Sequence, residues 1–316
     1  MTLTWARLTF RLARFEVVAF GAVILALMTA SVVAAISIDS VRPPANCFES
    51  TIDGMPFPGC EQALNAWFSA QQGVVGLAAG LLIFISLAAG LFLGVPIVAR
   101  ELERGTTRLA WSLTPSRMRW YLARMVPILV VLAIVTYLAG IAAERFIAAV
   151  TPLEDLSNSF TAFGFRGLLI ASRAVFIFAV AVAVGAIVGR VLPAVIFAAI
   201  IATIGLAGGE AVHERILEAE AVALPMDMNS NGATRPGDRY ITQKFVLPDG
   251  TLADYSYFGG QDPYDQNGMP RYPIVMMVVP GERYRFVETR EAAALAGGSL
   301  VALVLAAFVV SRRRPG

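Results

Sequence analysis

A short, densely charged run lies between two strongly apolar segments of this sequence. That run contains Arg100, Glu101, Glu103, Arg104, Gly105 and Thr106. It carries both signs of charge, whereas binding to anionic lipid would favour arginines without glutamates. A mixed-sign patch followed by an exposed tryptophan, here Trp111, is typical of a contact with another protein. The chemistry that this run indicates is therefore protein recognition.

The residue patterns that support catalysis or metal binding are missing from the sequence. His213 is the only histidine, which excludes a histidine-rich zinc cluster. No Gly-Lys-Ser/Thr follows the glycines between positions 76 and 94, so they favour close helix packing and not phosphate binding. Residues 261–268 faintly resemble a calcium loop, but the bidentate glutamate is missing and a solvated turn is the better interpretation. We expect no catalytic residue, no metal and no cofactor in this chain.

The composition is that of a membrane protein. Hydrophobic residues make up 57% and charged residues 15%, and the mean hydropathy is +0.67. Soluble domains are about 25% charged. Six apolar segments are long enough to cross a bilayer, namely 17–38, 74–99, 125–143, 168–188, 191–207 and 292–310. The fourth and fifth are separated by Gly189 and Arg190, and a tight hairpin is favoured there over one long helix.

The arginines predict how these segments are oriented. One side of the membrane would carry Arg7, Arg11, Arg14, Arg100, Arg104, Arg108, Arg117, Arg119, Arg124, Arg190, Arg312, Arg313 and Arg314. The short loops of the other side carry only Arg42, Arg145 and Arg166. Because cytoplasmic loops are enriched in arginine and lysine, both termini are predicted to be cytoplasmic. The fold class is then an all-α polytopic membrane protein with a large extracytoplasmic insertion between spans five and six.

Four regions follow from this arrangement. Residues 1–16 form either an amphipathic helix in the membrane interface or a short basic flank. Spans one to five occupy 17–207, and span six with a basic cytoplasmic tail occupies 291–316. Residues 208–290 form an extracytoplasmic loop or small domain, with helical spacing over Ala211–Leu224 and strand-forming residues over Tyr240–Tyr257, around the turn at 248–250.

Two pairs of residues stand out on the predicted outer side. Cys47 and Cys60 are the only cysteines, and both lie in the first outer loop, where we expect a disulfide and not two free thiols. Arg173 lies inside the fourth span, and Glu144 at the end of the third could pair with it. Arg173 either snorkels to the headgroups or lines a translocation path together with Glu144.

Several of these residues resemble a known family. Residues 101–113 can form a short helix that ends before Pro115, and Ser116 would cap the next helix. The motifs Arg100-Glu101-x-x-x-Gly105-Thr106, Leu109-Ala110-Trp111, Ser116-Arg117 and Trp120 resemble the loop between spans two and three of ABC-2 type permeases, above all actinobacterial ones. A weaker likeness, Pro280-Gly281-Glu282-Arg283-Tyr284 with Phe286 and Glu288, precedes span six.

The resemblance implies a function. Residues around 100–114 would form a coupling helix that docks on a cytoplasmic ATPase dimer, through Arg100, Glu101, Glu103, Arg104, Gly105 and Thr106. The chain would pair with a second copy or a paralogue in the bacterial plasma membrane, surrounded by lipid and without nucleic acid. ATP and magnesium would bind to the partner ATPase, and the cargo would be hydrophobic or amphipathic. The alternative is a polytopic anchor or sensor whose outer loop binds a ligand or partner, and a membrane-embedded enzyme is the third hypothesis.

Overall fold

The structure is a computed structural model that describes residues 14–48, 59–72, 74–107, 111, 116–225, 235–259, 263–265 and 269–313. Several predictions fall partly outside these residues. They are the interfacial helix over 1–16, the calcium-like loop over 261–268, the second half of the coupling segment and the end of the basic tail. The described part divides into a membrane unit of residues 1–152, 162–207 and 288–316 and a second unit of residues 153–161 and 208–287.

Helices dominate the described residues. Their bounds are α1 Arg14–Ser40, α2 Cys60–Gln71, α3 Val74–Gly94, α4 Pro96–Glu103, α5 Arg117–Val150, α6 Gly167–Val188, α7 Val191–Glu220 and α8 Tyr284–Arg312. Six spans among them are long and apolar enough to cross a membrane, namely Phe15–Ser40, Gly80–Glu103, Arg117–Val150, Gly167–Val188, Val191–Glu220 and Gly281–Arg312. The prediction of six spans is confirmed at this level of length and composition.

Helix α6 is the most buried span of the membrane unit, because glycines let its neighbours approach closely. A Cβ atom added at Gly90 of α3 would lie 2.5 Å from the carbonyl oxygen of Ala174. One added at Gly140 of α5 would lie 2.2 Å from the carbonyl oxygen of Gly167. Small residues at helix crossings allow such backbone contact in membranes. Gly90 of the second apolar segment therefore serves packing, as the sequence indicates, whereas a Cβ atom at Gly80 would meet nothing within 4 Å.

The turn between α6 and α7 confirms the predicted hairpin. Gly189 ends α6 in the left-handed conformation, with φ of 71°, and α7 begins at Val191. A Cβ atom at Gly205 of α7 would lie 3.0 Å from the ring of Phe176 of α6, so the two helices run back along each other. Helix α7 then continues to Glu220, and the strand-forming residues begin at Val222. The helical segment predicted over Ala211–Leu224 is thus the continuation of α7 as far as Glu220 and not a separate helix, and its last residues, from Val222, belong to β1.

The second unit contains a β-sheet, so the described part of the protein is mostly helical and not all-α as predicted. Its strands are β1 Val222–Pro225, β2 Arg239–Val246, β3 Leu252–Ala253 and β4 Ile274–Val279. They form a four-stranded sheet in the order β1-β4-β2-β3, and every pair is antiparallel. The predicted hairpin around residues 248–250 is confirmed as β2 and β3, joined by a turn in which the Leu247 N–H donates to the Thr251 carbonyl at 2.9 Å.

The predicted disulfide is also confirmed. Cys47 and Cys60 are joined by a bond of 1.99 Å, and both are buried. Trp67 of α2 is buried nearby, packed on Phe48 with ring centroids 5.3 Å apart. The bridge therefore fixes the start of α2 to the segment that follows α1.

Candidate functional site: a charged helix tied to three spans

The charged run begins on a short helix that starts at a proline. Pro96 has no N–H and a fixed φ, so it suits the first position of α4 and separates this helix from α3. The next residues, Ile97, Val98 and Ala99, are buried, which anchors the first turn of α4. The helix ends at Glu103, and Arg104–Thr106 form a turn in which Gly105 has φ of 67°.

The predicted helix over 101–113 is therefore divided. Helix α4 covers its first residues, the turn at Arg104–Thr106 interrupts it, and Thr107 and Trp111 are helical again. Residues 108–110 and 112–115 lie outside the described part of the chain. Ser116 caps the next helix as predicted, because its hydroxyl accepts a hydrogen bond of 3.2 Å from the Arg119 N–H.

Three charged side chains of α4 have partners on three different spans. Arg100 forms an ion pair with Glu16 of α1, and Glu101 forms one with Arg124 of α5. These contacts are supplemented by Glu103, whose carboxylate accepts a hydrogen bond of 3.0 Å from the first N–H of α7. A carboxylate at a helix N-terminus is stabilised by the unpaired N–H groups and the helix dipole. Helix α4 is thus tied to α1, α5 and α7 by its own charges.

The remaining candidate contact residues form the exposed tip of this segment. Arg104, Gly105 and Thr106 are exposed, and within the described residues Arg104 forms no ion pair. Of the six residues predicted to contact an ATPase, Arg100 and Glu101 are partly buried in ion pairs. Glu103 is exposed although its carboxylate accepts the hydrogen bond from α7, and Arg104, Gly105 and Thr106 are exposed as well.

The tryptophans beside this segment are packed. Trp111, which the sequence suggested to be exposed, is half-buried, with its ring 6.1 Å from that of the fully buried Trp120. Arg117 lies 4.6 Å above the Trp111 ring and donates a hydrogen bond of 2.7 Å to the Arg313 carbonyl. Since Arg313 follows α8, this contact joins the start of α5 to the end of the last span.

A cavity of about 300 Å³ lies beside α4. Its charged lining residues are Glu16, Arg100, Glu101, Arg104 and Arg124. Its apolar lining residues are Phe92, Leu93, Pro96, Ile97 and Ile128. The cavity therefore presents a mixed-sign rim over an apolar wall.

A second charged cluster of the membrane unit joins α5, α6 and α8. The sequence suggested that Glu144 could pair with Arg173, but the structure pairs Arg173 with Glu291 at 2.7 Å. The carboxylate of Glu144 instead faces the fully buried guanidinium of Arg166, at 3.4 Å. A buried carboxylate on α8, that of Glu288, accepts a hydrogen bond of 3.2 Å from an N–H in the first turn of α6.

Sequence reasoning missed Arg166, Glu288 and Glu291 in this cluster. A signal was present, because Glu288 and Glu291 are three residues apart and so share one face of a helix. That Arg173 and Glu144 line a translocation path stays a prediction.

Comparison with known proteins gives one family. Residues 12–210 match the model of the family described as ABC-2 membrane transporter related, which is more than half of the chain. Neither the comparison with curated proteins nor the comparison with solved structures returns a match.

Proposed function

Because the chain belongs to the ABC-2 membrane transporter related family, we propose that it is the permease subunit of an ABC exporter. The family assignment and the six apolar spans make it a multi-pass membrane protein and a membrane component of an ABC transporter. In the proposal, ATP is hydrolysed by a separate cytoplasmic ATPase dimer. The permease pairs with a second copy or paralogue in a bacterial plasma membrane, with both termini cytoplasmic, and exports a hydrophobic or amphipathic substrate.

One observation carries the proposed coupling role, namely that α4 has an exposed tip and three charged ties to other spans. A helix held in this way would move as a rigid body when a partner displaces its tip. The displacement would then reach α1 through Glu16, α5 through Arg124 and α7 through Glu103. Movement of packed helices as rigid elements is a common means of coupling distant sites.

The proposal gives different roles to residues that are all predicted from the sequence to contact the ATPase. Arg104 and Thr106 would touch the ATPase, since they are exposed. Glu101 and Glu103 would transmit the movement, since their carboxylates are engaged by other spans. A loss of transport on changing Glu101 would then report a broken internal tie and not a lost ATPase contact.

Site-specific crosslinking tests the docking assignment. Within the natural sequence both cysteines are disulfide-bonded, so a Thr106→Cys variant carries a single free thiol. We expect it to crosslink to a co-expressed ABC ATPase and the wild-type chain to show no crosslink. Ser256→Cys is a matched control, because Ser256 is also exposed but lies in the second unit, on the predicted opposite side. Crosslinking from Ser256→Cys alone would overturn both the docking site and the orientation.

The sensor alternative rests on the second unit. This unit has its own sheet and a cavity of about 530 Å³, bordered by the edge strand β1 and by Asp155 and Asp238. If the chain is a sensor or anchor, gentle detergent purification should recover no ATPase with it. If it is a permease, the recovered complex should hydrolyse ATP faster than the ATPase alone.

A further inference from the structure

The end of α6 is held by an arginine that follows another span. Arg313, the residue after α8, donates from one terminal nitrogen of its guanidinium to the carbonyl oxygens of Ala186 and Ile187, the second at 3.3 Å. These carbonyls belong to the last turn of α6, and the last carbonyls of a helix have no partner within it. The helix dipole also favours a cation at this end. Arg313 is therefore a cap of α6.

The turn between α6 and α7 is held at both of its ends. At the α6 end, a Cβ atom added at Gly189 would lie 2.6 Å from a terminal nitrogen of Arg313, so the guanidinium lies directly against the turn. At the α7 end, the Val191 N–H donates to the carboxylate of Glu103 at 3.0 Å. The turn is thus attached to α4 through Glu103 and to the end of α8 through Arg313.

Arg313 is itself held through its backbone. Arg117, the first residue of α5, donates to the carbonyl oxygens of Ser311 at 3.1 Å and of Arg313 at 2.7 Å. The Arg117 guanidinium also lies 4.6 Å above the ring of Trp111. A substitution of the Arg313 side chain removes the cap of α6 but leaves the Arg313 carbonyl in the chain. The two sides of this connection can therefore be perturbed separately.

These contacts join both ends of the coupling segment to the same turn. Glu103, at one end, reaches the turn directly. Trp111, further along the segment, reaches it through Arg117 and then Arg313. A segment that is attached at one point can rotate about that point, whereas two attachments oblige the turn to follow the segment. All five contacts lie within the membrane unit.

We propose that Arg313 is a positioning residue for coupling, which transmits a displacement of the Trp111 end of the coupling segment to the turn between α6 and α7. This role rests on the proposed permease function, in which an ATPase displaces the segment. Since α6 is the most buried span of the membrane unit, a movement of its end would be passed on to the helices packed around it.

Hydrogen–deuterium exchange of the full purified chain in detergent, without ATPase or nucleotide, tests the link, because exchange reports local opening. In Arg313→Ala, the amides of residues 186–189 should exchange about tenfold faster, as expected for the loss of one hydrogen bond to a charged group. The amides of residues 119–122, in the first turns of α5, should exchange about fivefold faster, because Arg117 loses its anchored acceptors.

Arg312→Ala is the matched control for this variant. Arg312 is exposed and lies 4.3 Å above the ring of Phe308 in its own helix, so its removal should change neither region. Arg313→Lys should resemble the wild-type chain, because an ammonium keeps the charge and can donate to the same carbonyls. Faster exchange at residues 186–189 alone in Arg313→Ala would overturn the proposal, since Arg313 would then only cap α6.

The reciprocal variant tests the link from its other side, also where Arg313→Ala does not fold. Arg117→Ala should accelerate exchange at residues 186–189 about fivefold, by releasing the backbone that carries Arg313. Arg119→Ala, at an exposed arginine two residues further along α5, should not. Unchanged exchange at residues 186–189 in Arg117→Ala would equally overturn the proposal.

The link and the exporter assignment can fail separately. In a complex with an ABC ATPase, Arg313→Ala should lose the stimulation of ATP hydrolysis, whereas Arg313→Lys and Arg312→Ala should keep it. If the wild-type chain itself gives no stimulation, the exporter assignment fails and the exchange experiment still decides the link. If Arg313→Ala accelerates exchange in both regions but keeps full stimulation, the link does not transmit movement and the proposal is overturned.

Discussion

Glutamine in place of Glu101 should destabilise the membrane unit and uncouple α4 from α5. The two side chains of the Glu101–Arg124 pair are only 15% and 13% exposed. Breaking a buried pair by removing one partner costs about 3–5 kcal/mol, whereas exposed pairs contribute about 0–1 kcal/mol. With this partial exposure we expect about 3 kcal/mol for Glu101→Gln and a similar value for Arg124→Gln.

A double-mutant cycle measures the interaction directly. The variants are Glu101→Gln, Arg124→Gln, their combination and the charge swap of Glu101→Arg with Arg124→Glu, all followed by thermal unfolding in detergent. Because the double glutamine variant leaves no buried charge, it should be less destabilised than the sum of the single variants, by about 2 kcal/mol. Arg235→Gln is the control, since the Arg235–Glu282 pair is 80% and 76% exposed and should contribute little.

The charge swap distinguishes the two roles that Glu101 could have. If Glu101 transmits movement through Arg124, the swap should restore both stability and ATPase coupling. If Glu101 contacts the ATPase itself, the swap should restore stability while coupling stays lost. A Glu101→Gln variant as stable as Arg235→Gln would refute the reasoning, because the pair would then not hold α4 to α5.

Three further perturbations have expected outcomes. Cys47→Ser should lower the free energy of unfolding by about 3 kcal/mol, because the disulfide no longer closes a loop in the unfolded chain. Alkylation without reductant should label neither cysteine of the wild-type chain. Gly90→Ala brings a Cβ atom to 2.5 Å from a carbonyl oxygen of α6, so thermal unfolding should show the protein destabilised by about 1–3 kcal/mol. Gly80→Ala should cause no such loss, because its Cβ atom would meet nothing within 4 Å. Hydrogen bonds from the hydroxyl and N–H of Ser157 hold the pKa of Asp155 below its ordinary value, so Ser157→Ala should raise that pKa in an NMR titration. The stabilisation from Asp155 is present above the unfolded pKa and is lost as the pH falls through the folded one.

The spans and their connections were predictable because their signals are local. About 20 consecutive apolar residues are needed to cross a bilayer, and such segments stand out in any sequence. The hairpin at Gly189 follows from too many apolar residues for one crossing. Cys47 and Cys60 have no alternative partner in the chain. Each of these features depends on residues that are close in sequence.

The sheet and the ion pairs were not predictable because their partners are distant in sequence. β4 is an apolar run of six residues, which has no strand-like alternation, and its partner β1 begins at Val222. The depth of Arg173 in its span makes Glu144 a possible partner, but helix packing brings Glu291 of α8 to it instead. Hydropathy predicts which helices cross the membrane and contains no information on which ones are neighbours.

The charged run also shows that the sequence does not reveal which charges are paired within the chain. The run carries more charges than the orientation of the spans requires, and the sequence alone predicts that a partner protein contacts the additional ones. The structure attributes most of that excess to α1, α5 and α7, since Arg100, Glu101 and Glu103 are engaged within the chain. A charge count in a short loop therefore overestimates the surface available to a partner. Within the described residues of the run, the segment with no such tie to another span is Arg104–Thr106, which is where the proposed ATPase contact would be made.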